Sequence, residues 1–347
     1  MSGPSLKRET VTAPKFVVPL FLVVGVLQTM NRYLRIQLGS QTPHTDVRCC
    51  WRPLSEAVLA GTPLYVEPAV DNKPPLFELL NVAVAATGAY LLVFFLLVGT
   101  VNAAVGLLLW RICTQRDAPR VGLLAGGLFL VSVPLAGGEV INVRSFAIAG
   151  ILLALSVRHP VARGAAVAAG GLFSQHAVFA VPALAYDRYR ELDRPEGVRW
   201  VGVFALSGLG VVAGAFTVVY AVWGWASLEG AVYWTFLVAE QYTTNPTVPS
   251  LVGDTSEWLR SLYRFGLRHL LVLVPAGVGV WVTVTDDGAA RTRHSTAVPV
   301  VTAALLAVSM TIPLFIRAYR AYWLYPLPFL ALLAGVGIER LLGSGEA

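Results

Sequence analysis

Two short stretches of this chain hold residue types that can do chemistry. One reads His44-Thr-Asp46-Val-Arg48, and the other Asp71-Asn-Lys73-Pro74-Pro75. A carboxylate such as Asp46 can take a proton from a hydroxyl nucleophile. A cation such as Lys73 can neutralise charge developing on a departing phosphate. The two prolines behind Lys73 remove backbone donors and fix φ, which sets the lysine on a stiff corner. From there it can reach a lipid phosphate while its stem stays in an apolar layer. Glu139, Arg144, Gln175, His176, Arg317, Arg320 and Tyr322 stand in or at the ends of later apolar stretches, where polar side chains are candidates for a site. The first loop has no DxD-like acid cluster, and Cys49, Cys50 and Cys113 show no CxxC spacing. Neither a metal nor another cofactor is expected, and a disulfide framework is not expected either.

The elements that must position these residues are apolar. Of 347 residues, 56% are hydrophobic and only 13% charged, and the mean hydropathy is +0.66. A soluble domain carries about 25% charge, so a soluble enzyme and a disordered chain are both excluded. The apolar residues come in blocks near the length that crosses a bilayer. The expected fold is an all-α polytopic membrane domain over 1–347, with 8–11 transmembrane or half-membrane helices. Its expected spans lie near Phe16–Met30, within Leu76–Trp110 (broken near Thr87-Gly88), Val121–Ala136 and Phe146–Val157. Others are a short pair within Gly164–Tyr186, then Val201–Val222, Leu270–Val284, Ala297–Ile316 and Tyr322–Leu341. Two long loops separate them, at 31–75 and 224–268, and Glu257–Phe265 in the second has the pattern of an interfacial amphipathic helix. The first apolar run is expected to be a retained helix.

The net charge of +6 fits basic loops that set topology and meet anionic lipid. Nothing points to nucleic acid. With both termini in the cytoplasm, 15 of the 26 Lys/Arg fall inside and 11 outside, as the positive-inside bias requires. The 31–75 loop then lies outside a cell membrane, with Arg32, Arg35, His44, Asp46, Arg48, Asp71 and Lys73 in or beside it. Cations on that side oppose the topological preference, and an anionic ligand is one physical reason to hold them there.

The first loop also carries Ala57-Val-Leu-Ala-Gly61-Thr-Pro-Leu-Tyr65 between its acid and its Lys-Pro-Pro corner. An acid soon after the first span, then A-x-L-A-G-x-P-x-Y, then D-x-K-P-P-L, resembles the membrane glycosyltransferases of the GT-C superfamily, in the protein-mannosyltransferase and aminoarabinose-transferase branch. Gly170-Gly171-Leu-Phe-Ser-Gln175-His176 and Arg317-Ala-Tyr319-Arg320-Ala-Tyr322 through Pro328 are similar to later patches of that family. The resemblance implies inverting transfer of a sugar, mannose first, from a dolichyl- or polyprenyl-phosphate donor to a glycolipid or protein on the extracytoplasmic face. It implies Asp46 as general base and Lys73 as the contact to the donor phosphate; independently, the chemistry of a departing phosphate calls for cations, which Arg144, Arg317 and Arg320 are expected to add. Arg48, Asp71, Glu139, Gln175, His176 and Tyr322 are expected to bind or orient substrate. The chain departs from the family where Val47 replaces a second acid.

Each residue also has a plainer role. Asp46 can be a solvated acid paired with Arg48. Lys73, Arg317 and Arg320 can be interfacial anchors, the last two beside an aromatic belt. Asp71 can orient Lys73, Glu139 and Arg144 can pair with each other, and His176 can be hydrogen-bonded structure. Two other functional classes fit the same charges: a transporter or flippase for a lipid-linked anion, and a non-catalytic membrane subunit. No internal repeat of the kind transporters carry is evident.

Overall fold

The computed structural model describes residues 14–237, 255–285, 299–316 and 319–343. Among these residues the chain is helical and contains no strand. Helix α1 (Pro14–Gln37), α4 (Tyr90–Thr114) and α9 (Arg194–Trp223) are each long and apolar enough to cross a membrane. A fourth crossing is possible by length where Thr255–Arg268 and Leu270–Thr285 meet at an 87° bend. The expected 8–11 elements included half-membrane helices, and among the described residues the remaining apolar helices are shorter than a full span. They include α3 (Pro75–Ala85), α5 (Pro119–Ser132) and α6 (Arg144–Ser156).

The expected break in Leu76–Trp110 is present. Gly88, at φ +73°, separates α3 from α4, a backbone state that glycine enters at no steric cost. The expected short pair is α7 (Pro160–Gly171) and α8 (Val181–Tyr189), joined by a 3₁₀ turn at Gln175–Ala180.

One loop boundary needs correction. The first loop does not begin at Asn31, because α1 runs on to Gln37. Arg32, Tyr33 and Arg35 are good enough helix formers to carry it, and Gly39 at φ +72° follows just after its end. Polarity ended the apolar stretch there, not the helix. The remainder of 31–75 holds a π-helical turn (Val47–Trp51) and α2 (Arg52–Leu59). The second loop, 224–268, likewise contains α10 (Trp225–Val232) and the helix Thr255–Arg268, while 238–254 lies outside the described residues. Glu257–Phe265 falls inside that second helix, which turns sharply from the helix after it, as an interfacial segment would.

The helices meet through small residues. A Cβ on Gly25 of α1 would sit 2.6 Å from the Gly99 carbonyl of α4, and one on Gly337 would run into the Pro275 carbonyl. Such close backbone approach is how helices gain dispersion contact when lipid leaves no hydrophobic drive between them. The apolar face of α9 points outward instead, with Leu206 70% and Leu209 65% exposed, as contact with lipid requires.

Two satellite clusters tie the first loop to this bundle. Val47 and Trp51 pack with Phe77, Phe94 and Val143. Leu54, Leu64 and Tyr65 pack with Leu172, Phe216 and Ala231. Phe77 N–H also donates to the Leu172 carbonyl at 3.2 Å. Lys73 and the C-terminal turn of α7 are thereby fixed to one another.

Candidate functional site

Trp51 is the floor of the loop. Its indole N–H donates to Asp71 Oδ2 at 2.8 Å, and the Lys73 ammonium stands 5.9 Å from its ring centre. Asp71 also accepts the Asn72 N–H at 2.7 Å and lies 3.7 Å from Lys73 Nζ. Lys73 reaches the Asn72 side chain as well, and its carbonyl accepts the Tyr65 hydroxyl at 2.6 Å. Asp71 is 9% exposed at its side chain, so its place is beneath Lys73, holding the ammonium at the corner.

His44 is the point on which the charges converge. Its imidazole feels Asp46, Arg144, Arg32 and Lys73, and burial pushes its pKa down. His44 Nε2 contacts the Tyr319 hydroxyl at 2.9 Å. Nδ1 accepts the Asp46 backbone N–H at 3.3 Å. That bond leaves Nδ1 without a proton, so a neutral His44 carries its proton on Nε2 and donates it to Tyr319. The 3.6 Å approach of Asp46 Oδ2 to Nδ1 is then not an ion pair. Asp46 is 47% exposed at its side chain, and its carboxylate is open to solvent.

Arg144 starts α6, and the start of α6 is held firmly. Asn142 Oδ1 accepts the Ser145 N–H at 2.9 Å. Asn102, fully buried in α4, accepts Ser145 Oγ at 2.7 Å and donates to the Gly138 carbonyl at 2.9 Å. The Arg144 guanidinium lies 5.3 Å from the Tyr319 ring centre and 5.0 Å from that of Tyr322. Its Nε is buried with no hydrogen-bond partner, and Glu139 does not pair with it. Glu139 has its own buried, unpartnered Oε2. Burial raises its pKa, opposed by the positive charges of Arg320 and Arg32.

The turn between α7 and α8 supplies His176. Its Nδ1 lies 3.2 Å from Ser174 Oγ and 3.4 Å from the Tyr325 hydroxyl, and those two oxygens are 2.6 Å apart. The ring packs on Tyr322 at 5.2 Å. Burial first, then the positive charges of Arg144 and Lys73, lower its pKa to about 3. His176 is therefore a neutral hydrogen-bonding group that shares the field of both cations.

The remaining expected residues divide. Tyr322 belongs to the cluster through Arg144 and His176, and Gln175 is partly buried beside it. Arg320 is exposed, and its guanidinium donates to the carbonyls of Leu135 at 3.0 Å and Pro134 at 2.8 Å. It closes the turn that carries Glu139, so its donors are not directed at His44. Arg48 is exposed on the π-helical turn, and no ion pair joins it to Asp46 among the described residues. Arg317 lies outside the described residues.

Four participants were not assigned in the sequence. His44 and Tyr319 meet across 275 positions, so no local pattern joins them. Arg32 ends inside the cluster, with a buried, unpartnered Nε, because α1 continues past the apolar stretch. Glu78 is completely buried, accepts the Asn81 amide at 3.2 Å and leaves Oε1 without a partner. Glu78 did carry a signal: an acid three residues into an apolar helix is expensive and calls for a reason. No group of three or more His, Cys, Asp or Glu side chains among the described residues is arranged to hold a metal ion.

The chain matches no model of a known protein family, no curated protein and no solved structure. Its functional reading therefore rests on the geometry at His44 and on the motif resemblance.

Proposed function

We propose that this protein is an extracytoplasmic membrane glycosyltransferase that uses a polyprenyl-phosphate sugar, with Asp46 as general base. The observation that carries the reading is an open carboxylate set against cations that keep unused donors. Asp46 is half exposed, while Arg144 and Arg32 each present a buried Nε with no hydrogen-bond partner. A phosphate diester would supply those partners, since its oxygens accept charge-assisted bonds from arginine.

In the proposed step an acceptor hydroxyl loses its proton to Asp46, and its oxygen forms a bond to the anomeric carbon of the donor. The bond from that carbon to the phosphate oxygen breaks, and the electron pair leaves with the lipid phosphate. Lys73 and Arg144 stabilise the negative charge as it gathers there. The phosphate is already a good leaving group, so one displacement with inversion suffices. Asp71 positions Lys73, and His44 positions the Asp46 backbone. Mannose as the sugar, and a glycolipid or protein as acceptor, follow from the GT-C resemblance.

The test is transfer from dolichyl- and undecaprenyl-phosphate mannose by the full chain in detergent or liposomes. Asp46→Asn should lose about 10²–10⁴-fold in rate, the usual share of a general base, and Lys73→Ala a comparable amount. Full activity in both variants overturns the mechanism. Movement of a lipid-linked anion across proteoliposomes with no covalent product would assign the cluster to a transporter instead.

A further inference from the structure

A second charged region lies at the far ends of α6 and α7. The outer cluster uses Arg144 at the start of α6 and Ser174 just past the end of α7. At the other ends of the same helices, Ser156 and Arg163 line a cleft of about 450 Å³. The 13 residues of α6 separate the two regions by about 18 Å, at 1.5 Å per residue. Nothing assigned so far to the outer cluster enters this cleft, and its reading does not depend on the proposed reaction.

Four arginines and two acids face the cleft: Arg116, Arg158, Arg163 and Arg188 against Asp187 and Glu191. Asp187 has a partner on each oxygen. It accepts Arg163 at 3.1 Å and the Thr302 hydroxyl at 2.6 Å. Arg163 is partnered too, with further bonds to the carbonyls of Val157 and Leu184 at 2.9 and 3.0 Å. The pair makes a rigid, neutral base for the cleft. Glu191 binds Arg188, but Arg188 Nε stays buried and unpartnered. Among the described residues Arg116 makes one long contact, 3.4 Å, to the Ile112 carbonyl, and Arg158 is exposed at the rim. Topology needs cations in loops but does not need them gathered around a concavity with donors left over.

We propose that this cleft is a binding site for a phosphate group, held by Arg116, Arg158 and Arg188 over the Arg163–Asp187 base. Arginine forks match phosphate oxygens bidentately. The sequence puts this end of the bundle in the cytoplasm, where basic pockets between helices meet the headgroups of anionic lipids. The phosphate can be a lipid headgroup or a free phosphate, and the two sources separate experimentally.

The full chain in a neutral detergent is assayed in two arms. Native mass spectrometry measures retention of phosphatidylglycerol against phosphatidylcholine. Thermal unfolding is followed with inorganic phosphate and with pyrophosphate, at ionic strength held constant with chloride. The double variant Arg116→Gln/Arg158→Gln should weaken the responding ligand by about ten-fold or more, as expected for lost charge-assisted bonds. The charge-matched control Arg194→Gln/Arg199→Gln, on the exposed start of α9, should leave it within about two-fold, as general charge effects are screened. A response in the lipid arm assigns a headgroup, and a response in the phosphate arm alone assigns a soluble phosphate. No response in either arm overturns the proposal. So does an equal loss in both double variants, which marks a diffuse surface effect.

Discussion

Arg144 and Arg163 stand near opposite ends of the neighbouring helices α6 and α7, and their surroundings differ in kind. Arg163 donates to three carbonyls and to Asp187, whose other oxygen holds Thr302. Both charges of that pair are answered within the chain. Arg144 faces two tyrosine rings and has no partner at Nε. The first arrangement joins α7, α8 and the helix Val300–Ser309 into one body. The second leaves a buried donor unsatisfied, which folding alone gives no reason to keep. A saturated arginine is part of the frame, and an unsatisfied one is waiting for a ligand.

Removing each arginine should separate the two cases, and the largest effect falls on the frame. Arg163→Met leaves Asp187 buried beside a lone hydroxyl and should cost about 3–5 kcal/mol of stability, the usual result of breaking a buried pair from one side. Arg144→Met should cost about 0.5–2 kcal/mol, the scale of its cation–π contacts. Its effect should appear in transfer instead, as a loss of about 10²–10³-fold, the scale of one charge-stabilising donor. Denaturant unfolding in detergent and the mannose-transfer assay read the two quantities separately. Equal destabilisation by both variants would erase the distinction between frame and site.

The sequence made parts of this contrast legible. Charge placement against the apolar blocks put Arg144 and Arg163 at opposite ends, and the helices α6 and α7 bear out that separation. The Lys73 corner was readable because two prolines dictate local geometry, and α3 does begin at Pro75. The Thr87-Gly88 break was readable for the same local reason. What stayed hidden depends on partners far apart in the chain. Arg320 looked like a ligand-facing cation and closes on Pro134 and Leu135, 186 and 185 positions away. Arg32 lies past the end of the apolar stretch, but α1 continues through it to Gln37. Glu78 stood five positions from Lys73 in the sequence, but its burial follows from the fold, where Asn81 bonds it and is itself held by Trp51 and Tyr90.

The outer cluster should also respond to pH in a way the Arg163 base does not. His176 has a lowered pKa of about 3 in the folded protein, against about 6.5 when unfolded. The unfolded chain therefore binds the extra proton first as pH falls. Stability is complete above about pH 6.5 and declines below it, by up to about 1.4 kcal/mol per pH unit until the folded value is reached. His44 is shifted in the same direction and adds to the slope. His176→Asn should flatten the fall in melting temperature between about pH 6.5 and 4.5, a window set by the titration of an unperturbed histidine. An unchanged slope in that variant would mean that His176 is not held as a buried neutral ring.

The smallest effect tests whether His44 acts on Asp46 or only fills space. Tyr319→Phe removes the hydroxyl that accepts from His44 Nε2 and keeps the ring beside Arg144. Loss of one neutral hydrogen bond should cost about 0.5–1.5 kcal/mol, and a merely packed histidine would lose no more than that. If the bond fixes the tautomer that holds the Asp46 backbone, catalysis has a separate response. Without the Tyr319 oxygen the imidazole can place its proton on Nδ1, where it would point at Asp46 and turn an acceptor into a competing donor. The carboxylate would then bind its own neighbour more tightly and take a substrate proton less readily. The transfer kcat should fall in Tyr319→Phe, with KM for the lipid donor unchanged. A change in KM alone would assign Tyr319 to the donor phosphate through Arg144, and the link from His44 to the base would fall.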